Sequence, residues 1–432
     1  MTAPQLAAGA GAGDVDRALP ASGLHRLLAK RWVGVAAIAL ALVALLAFGI
    51  VGIGRDGGYW LRSNLDMHYQ YGAGTCWWKG GNPYDVKSLV SANEGVAGID
   101  HARLHYGFAY PPQDALLCML LALLPLRGAT VLMTALNAIS AAGLAWLATR
   151  ASPGLPGERA SALRDARPFL FAVLLGNPFT THVLWLGQTT LLAVACLVAG
   201  WSLRRRAPFV AGALLGVATL KPQIALLPVV WITLERSWKV LAAVVVTVAV
   251  LAAYPVWLQG PVTLLHDWLA AMKLYESEAH NVVGFQNIFG FQSLAVAAGL
   301  RCPPLAPLAL GALAALFAYR RTIPAEDVLG LLLGASFLFV YAHDYDLCAL
   351  APLYVGAWTH ASRRTGDGAL VLGAFGLLFV PQRLLRGVLP AVFLHWRELV
   401  VLALVLFIVA DALRRQSGKG MTGLGARPST QS

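Results

Sequence analysis

The chain has 432 residues, of which 58% are hydrophobic and 12% charged, with a formal charge of +12 and a mean hydropathy of +0.65. A soluble domain carries about 25% charged residues, so a single water-surrounded core is excluded and the solvent must be largely lipid. The basic residues form short clusters between apolar runs, and the aromatic–basic interleaving of single-strand binders is absent, which argues against a nucleic-acid partner.

Residues 1–31 open the chain as a small-residue tail ending in the basic stretch His25 to Arg31, expected to be disordered and cytoplasmic. Residues 32–54 follow as an uninterrupted apolar run. A membrane span needs about 20 such residues, and a signal-peptide core is only about 7–15 long. The run therefore reads as an uncleaved first helix. Residues 55–108 form a first large outer loop, rich in polar and aromatic residues. Further apolar segments lie at 110–126, 128–149, 168–181, 183–203, 208–220, 222–234, 240–258, 304–319, 326–342, 347–361, 368–381 and 396–413.

Basic clusters at Arg204–Arg206, Arg236 with Lys239, Arg320–Arg321, Arg363–Arg364 and Arg414–Arg415 place one set of ends inside. The opposite ends, including a second large loop at 259–303, then face outside. Thirteen crossings would leave the C-terminus on the wrong side, and the arginines of 150–167 conflict with two crossings between 110 and 149. One segment must therefore be re-entrant or merged. The expected architecture is an all-α polytopic bundle of about 12 transmembrane helices. It forms a single domain over 32–413, followed by a cytoplasmic tail at 414–432.

An ionisable group at membrane depth is costly and needs a reason. Most of the unusual polar residues fall at the outer ends. Asp66 follows the first helix; a helix over Asp66 to Trp78 would set Asp66, Tyr69 or Gln70, and Ala73 on one face. A carboxylate there can act as a general base, or simply as a helix N-cap. Tyr110-Pro111-Pro112-Gln113 marks a helix start, with Asp114 just behind it. Asn177-Pro178 and Gly187-Gln188 make a polar turn. Lys221-Pro222-Gln223 interrupts an apolar stretch, and a lysine there can neutralise a phosphate or snorkel to the interface. Loop 259–303 offers His280, Gln286-Asn287 and Gln292-Ser293. His343-Asp344-Tyr345-Asp346 is the densest ionisable cluster, and histidine can carry a proton or a charge near neutral pH.

The five cysteines contain no CxxC pair, and Cys76 and Cys302 fall in or near outer loops where a disulfide is chemically allowed. P-loop, GxSxG and HExxH motifs are absent. Inner loops are too short for a nucleotide-sugar domain, so a transferase of this shape would take its donor from the membrane. The rival reading is a transporter or flippase of a lipid-linked or small polar solute. Transporters usually spread polar groups through the midplane, whereas here they gather on one side. A ligase or polymerase of lipid-linked sugars would need arginines in its late outer loop, and 259–303 holds only Arg301.

An Asp after the first span (Asp66), GNPY (Gly81 to Tyr84), YPP (Tyr110 to Pro112), GQ (Gly187-Gln188) and KP (Lys221-Pro222) occur in that order. The pattern resembles glycosyltransferase family 87, which includes polyprenyl-phosphate-mannose-dependent mannosyltransferases. The resemblance implies a GT-C fold with outer loops forming the cleft. It also implies a polyprenyl-phosphate sugar donor and inverting transfer of a hexose such as mannose to a lipid or glycan acceptor. It casts Asp66 as catalytic base and Lys221 and His343 as binders of the donor phosphate. Tyr84, Tyr110, Gln188, Asn287, Gln292, Asp344 and Asp346 are the candidate substrate contacts. Asp66 is followed by Met67-His68 rather than a second acid, which favours a reaction without metal or other cofactor. The Ala- and Arg-rich composition suggests a bacterial inner membrane with a periplasmic site. Trp77, Trp78 and Tyr84 could pack on sugar faces, but most such aromatics are interface-belt residues.

Overall fold

The computed structural model describes residues 27–53, 65–99, 104–105, 107–150, 155, 157–361 and 366–423. The N-terminal tail expected over 1–31 lies almost wholly outside the described residues, as do Arg363–Arg364 and 424–432.

The described chain is nearly all helical. The first helix, α1 (Arg31–Ile53), is followed by α2 (Leu65–Trp78) and α3 (Val86–Ala92), in the segment expected as the first outer loop. A 3-10 turn at Pro112–Asp114 leads into α4 (Ala115–Ala122), then come α5 (Leu126–Ala148), α6 (Gly157–Gly176), α7 (Pro178–Leu186) and α8 (Thr190–Leu203). Next are α9 (Pro208–Ala218), α10 (Pro222–Leu234), α11 (Trp238–Leu251), α12 (Ala253–Gln259), α13 (Pro261–Ser277) and α14 (Phe291–Ala297). The last are α15 (Ala306–Ala318), α16 (Val328–Phe339), α17 (Ala351–Ala361), α18 (Asp367–Phe379) and α19 (Trp396–Gly423). Proline stands at the first position of α7, α9, α10 and α13, where its missing N–H costs nothing and its φ is already helical. The one sheet among the described residues pairs β1 (Ile288–Phe289) with β2 (Ala342–His343), antiparallel, with Ile288 opposite His343.

By length and composition, α5, the continuous apolar stretch Gly157–Leu186, and Ala391–Gln416 can each cross a membrane. The pair α11 and α12, bent by 57°, makes a fourth candidate. The other apolar helices are shorter than the expected dozen spans require. Four helices define two ends of the bundle. α8 starts at Thr190 beside Asp346 and stops before Arg204, and α10 starts after Lys221 beside the same Asp346 and stops before Glu235. α16 runs the other way, from Asp327 towards His343, and α19 runs from Arg397 beside Asp344 to Arg415 beside His360. One end is thus polar and mixed in charge, and the other collects the basic clusters.

Several expectations change in detail. The segment 110–126 is not one long helix: α4 has eight residues, about 12 Å at 1.5 Å per residue, and lies antiparallel on α2. The segment 183–203 is broken at Gly187, whose φ of 68° is left-handed. The segment 259–303, expected as an outer loop, contains the 17-residue helix α13. The helix expected to stop at 413 continues to Gly423. Cys76 and Cys302 are both free thiols: Cys76 is buried against Ser88, and Cys302 contacts the Pro303 carbonyl.

Candidate active site

The helix over Leu65–Trp78 forms as the spacing predicts, and its buried face includes Gln70 and Ala73. It is held in place by close packing. A Cβ on Gly74 would come within 2.0 Å of the Cys118 carbonyl oxygen, so only glycine lets α2 and α4 touch there. The Tyr71 hydroxyl donates to the Leu124 carbonyl and the Trp78 indole N–H to the Met119 carbonyl. Asp66, in the first turn, is thereby carried to the polar end of the bundle.

Asn177 starts α7 by accepting from the N–H groups of Phe179 and Thr180, and left-handed Gly187 stops it. This tight stop sets Gln188 at the head of α8. The Gln188 side-chain amide donates to Asp66 Oδ2 and to the Tyr345 hydroxyl, the latter at 3.0 Å. Asp346 is fully buried and takes bonds from Thr190 Oγ1 and, at 3.3 Å, Gln223 Nε2. Both donors lie in first helical turns, where the partial positive charge of the helix ends favours a carboxylate. Lys221 Nζ stands 3.7 Å from Asp346 Oδ1. Its ammonium also faces the rings of Tyr110 and Tyr345, 5.3 and 5.6 Å from their centroids.

His343 stacks on Tyr345, with centroids 5.0 Å apart and planes 6° from parallel, and its Nε2 is 3.1 Å from the Tyr275 hydroxyl. Burial pushes its imidazole down to about 4; Asp346 opposes this, while Lys221 and His182 add to it. His343 is therefore a neutral hydrogen-bonding group at neutral pH, not a cation. Asp344 points elsewhere. It pairs with Arg397 at 3.2 Å, and burial raises its carboxyl to about 6 against the pull of Arg397. Burial holds the Tyr275 and Tyr345 phenols well above their usual range, so both are neutral donors.

Asp66, Tyr110, Gln188, Lys221, His343 and Asp346 are thus brought together. The others serve at one remove. Tyr84 donates to the Tyr110 carbonyl at 3.1 Å from a cluster with Trp77 and Phe108. Trp77 is fully buried there and is no interface-belt residue, whereas Trp78 is half exposed. Asn287 acts through its backbone carbonyl, which accepts from the Asp344 N–H at 2.9 Å. Gln292, in the first turn of α14, binds the Cys302 carbonyl in the loop beyond that helix, at 3.3 Å. His280 stacks on Phe285. Asp114 is fully buried beside Lys221, and among the described residues neither of its carboxylate oxygens has a hydrogen-bond partner.

Sequence reasoning did not single out Thr190, Tyr275, Tyr345 as a Gln188 partner, or Arg397. Arg397 is buried, donates to the Leu378 and Val380 carbonyls and anchors Asp344. An arginine within an apolar run was the available signal. Among the described residues, no three His, Cys, Asp or Glu side chains converge as a metal-binding group.

The family model of glycosyltransferase family 87 matches residues 108–342, more than half of the chain. The chain belongs to glycosyltransferase family 87. No curated protein and no solved structure matches it. Within the matched region of this membrane glycosyltransferase lie Tyr110, Gln188, Lys221, Asn287 and Gln292. Asp66 and Tyr84 precede it, and His343, Asp344 and Asp346 follow it.

Proposed function

We propose that this glycosyltransferase moves a sugar, a hexose such as mannose, from a polyprenyl phosphate to a lipid or glycan acceptor, with inversion and with Asp66 as general base. The observation that carries the reading is the contact Asp66–Gln188–Tyr345 beside the Lys221–Asp346 pair. A carboxylate oriented by a neutral amide keeps its basicity, and the Lys221 ammonium faces the ring of the same Tyr345. In the step, the acceptor hydroxyl gives its proton to Asp66 while its oxygen bonds to the anomeric carbon. The bond from that carbon to the phosphate oxygen breaks, and the polyprenyl phosphate leaves with the electron pair. Lys221, steadied by Asp346, offsets the charge on the leaving phosphate, the electrostatic contribution that usually dominates such catalysis. The N-termini of α8 and α10, which face the same place, act in the same sense.

A lipid-borne donor also suits the depth of the site. α8, α10 and α16 have 14, 13 and 12 residues, hence lengths of about 20 Å, against a hydrocarbon thickness of about 30 Å. With the basic ends at one interface, the catalytic groups lie below the other interface, where a headgroup on an embedded tail can reach them. A path of twelve crossings with α4 left out puts every basic cluster on the cytoplasmic side and the site on the outer side of the membrane. This is the orientation we assign.

Transfer is tested in proteoliposomes containing the full chain and labelled polyprenyl-phosphate mannose or other polyprenyl-phosphate sugars. Asp66→Asn, checked for folding by gel filtration, is expected to lose about a hundredfold or more, the loss typical of a missing general base. Full activity in that variant would remove Asp66 from the role. No transfer from any lipid-linked donor would overturn the donor assignment. Wild-type transfer is expected to persist in excess chelator; its abolition there, with recovery on adding Mg²⁺ or Mn²⁺, would refute the metal-independent reaction.

A further inference from the structure

A cavity of about 480 Å³ opens at the basic end of the bundle, lined by Arg204, Arg205, Trp231, Glu235, Ser237 and Arg320 together with apolar side chains. It is separate from the catalytic residues, because α8, α10 and α16 each span the distance between the polar cluster and this cavity, about 20 Å by helix length. Three arginines face one glutamate. Glu235 Oε2 stands 3.6 Å from Arg204 Nε, so one positive charge is offset and two are not. Among the described residues, the Arg205 guanidinium makes no hydrogen bond or ion pair, and its charge works against that of neighbouring Arg204.

One buried donor is also unsatisfied. The Trp231 indole N–H has no hydrogen-bond partner among the described residues, although Trp231 is only 2% exposed. Leaving a buried donor unpaired is costly, and an acceptor entering the cavity would remove that cost. Ser237 stands at the N-cap of α11 without capping it, which adds a hydroxyl and a helix N-terminus to the same wall. Trp231 and Phe317 supply an apolar side, with centroids 5.3 Å apart.

We propose that this cavity is a binding site for a phosphate-bearing anion, in the chemistry shared by an acidic phospholipid headgroup and a free phosphate ester. Arginine forks match phosphate oxygens in pairs, and a site with two uncompensated guanidinium groups favours a doubly charged phosphate monoester over a neutral headgroup. The apolar wall and the position at the helix ends favour the lipid as its source.

The full chain in detergent would be melted with short-chain phosphatidic acid, glycerol 3-phosphate, inorganic phosphate and, as a phosphate-free control, short-chain diacylglycerol. Wild type would be compared with the Arg205→Gln/Arg320→Gln double variant, with Trp231→Phe, and with Arg206→Gln, which removes an exposed basic residue outside the cavity. Saturable stabilisation by a phosphate ligand is expected in wild type and Arg206→Gln. The apparent affinity should fall about tenfold or more in the double variant, as for loss of a charge-assisted hydrogen bond, and by a few fold in Trp231→Phe. Stabilisation by phosphatidic acid alone identifies a lipid; equal effects of glycerol 3-phosphate or phosphate identify a soluble ester. Equal binding by all four proteins, or none by wild type, would overturn the site. The readout is independent of sugar transfer.

Discussion

At the residue scale, the acidic tetrad segment divides its labour by geometry. Asp346 faces Lys221, Thr190 and Gln223, whereas Asp344, two residues earlier, turns to Arg397. His343 and Asp344 also respond to pH in opposite senses. Folded His343 binds its proton only near pH 4, while the unfolded side chain does so near its ordinary 6.5. Acidifying through that window protonates the unfolded state first, so its contribution to stability is complete above about 6.5 and is lost as pH falls towards 4. Asp344, raised to about 6, contributes stability below its unfolded value that is lost as pH rises through 6. The His343→Gln variant isolates the first effect. Its melting temperature is expected to fall less than that of wild type between pH 6.5 and pH 4; parallel curves would refute the buried neutral imidazole.

At the element scale, α2 is the carrier of Asp66, and its seat depends on Gly74. Alanine there places a methyl carbon 2.0 Å from the Cys118 carbonyl oxygen, which backbone must move to relieve. Overpacking of this kind costs about 1–3 kcal/mol. Gly74→Ala is expected to lower stability by that amount and to reduce transfer further, because a shift of α2 moves Asp66 away from Gln188. Denaturation and kcat measured together check it, and an unchanged kcat in a destabilised protein would separate the helix seat from the base. The stop of α7 at Gly187 works similarly: a left-handed residue ends one helix and starts α8 within three residues, and so orients Gln188.

At the scale of the whole molecule, the end opposite the site is locked by a buried charge cluster. Arg159 donates to Asp327 at 2.6 Å and to Thr359, and His360 bridges Asp327 and Asp411 at 2.8 and 2.6 Å. The cluster joins α6, α16, α17 and α19. Removing one member leaves a buried charge uncompensated, at a cost of about 3–5 kcal/mol. Arg159→Met is expected to be destabilised by that order in a detergent unfolding assay, and a loss below about 1 kcal/mol would show that the cluster is solvated. α1 lies parallel to α6, since Gly34 meets Pro168 and Gly176 meets Ala41. Arg31 and Arg415 therefore sit towards the same end. A membrane-impermeant maleimide should label Lys87→Cys and Arg414→Cys from opposite faces of sealed vesicles, in a Cys302→Ser background. Labelling from one face would overturn the orientation assigned above.

Apolar runs, basic clusters and prolines are local signals, and they were sufficient to place most helices, the break at Lys221-Pro222 and the gathering of Arg204, Arg205 and Arg320 at one end. Their physical basis is short-ranged: burial of a run, the missing N–H of proline, and the cost of charge in lipid act on neighbouring residues. The five ordered motifs were also legible, and with them the family. Contacts between residues more than 50 positions apart were not. The bonds from Gln188 to Asp66 and Tyr345, the seat of Asp346 between two helix starts, and the diversion of Asp344 to Arg397 all depend on how helices pack. The same packing buried His343 and kept it neutral, made α4 too short to cross, and left the Trp231 indole N–H unpaired in the arginine cavity. Sequence by itself determined which residues are costly in a membrane; the tertiary structure decided which of them meet, because partners across the bundle are chosen by shape and not by spacing along the chain.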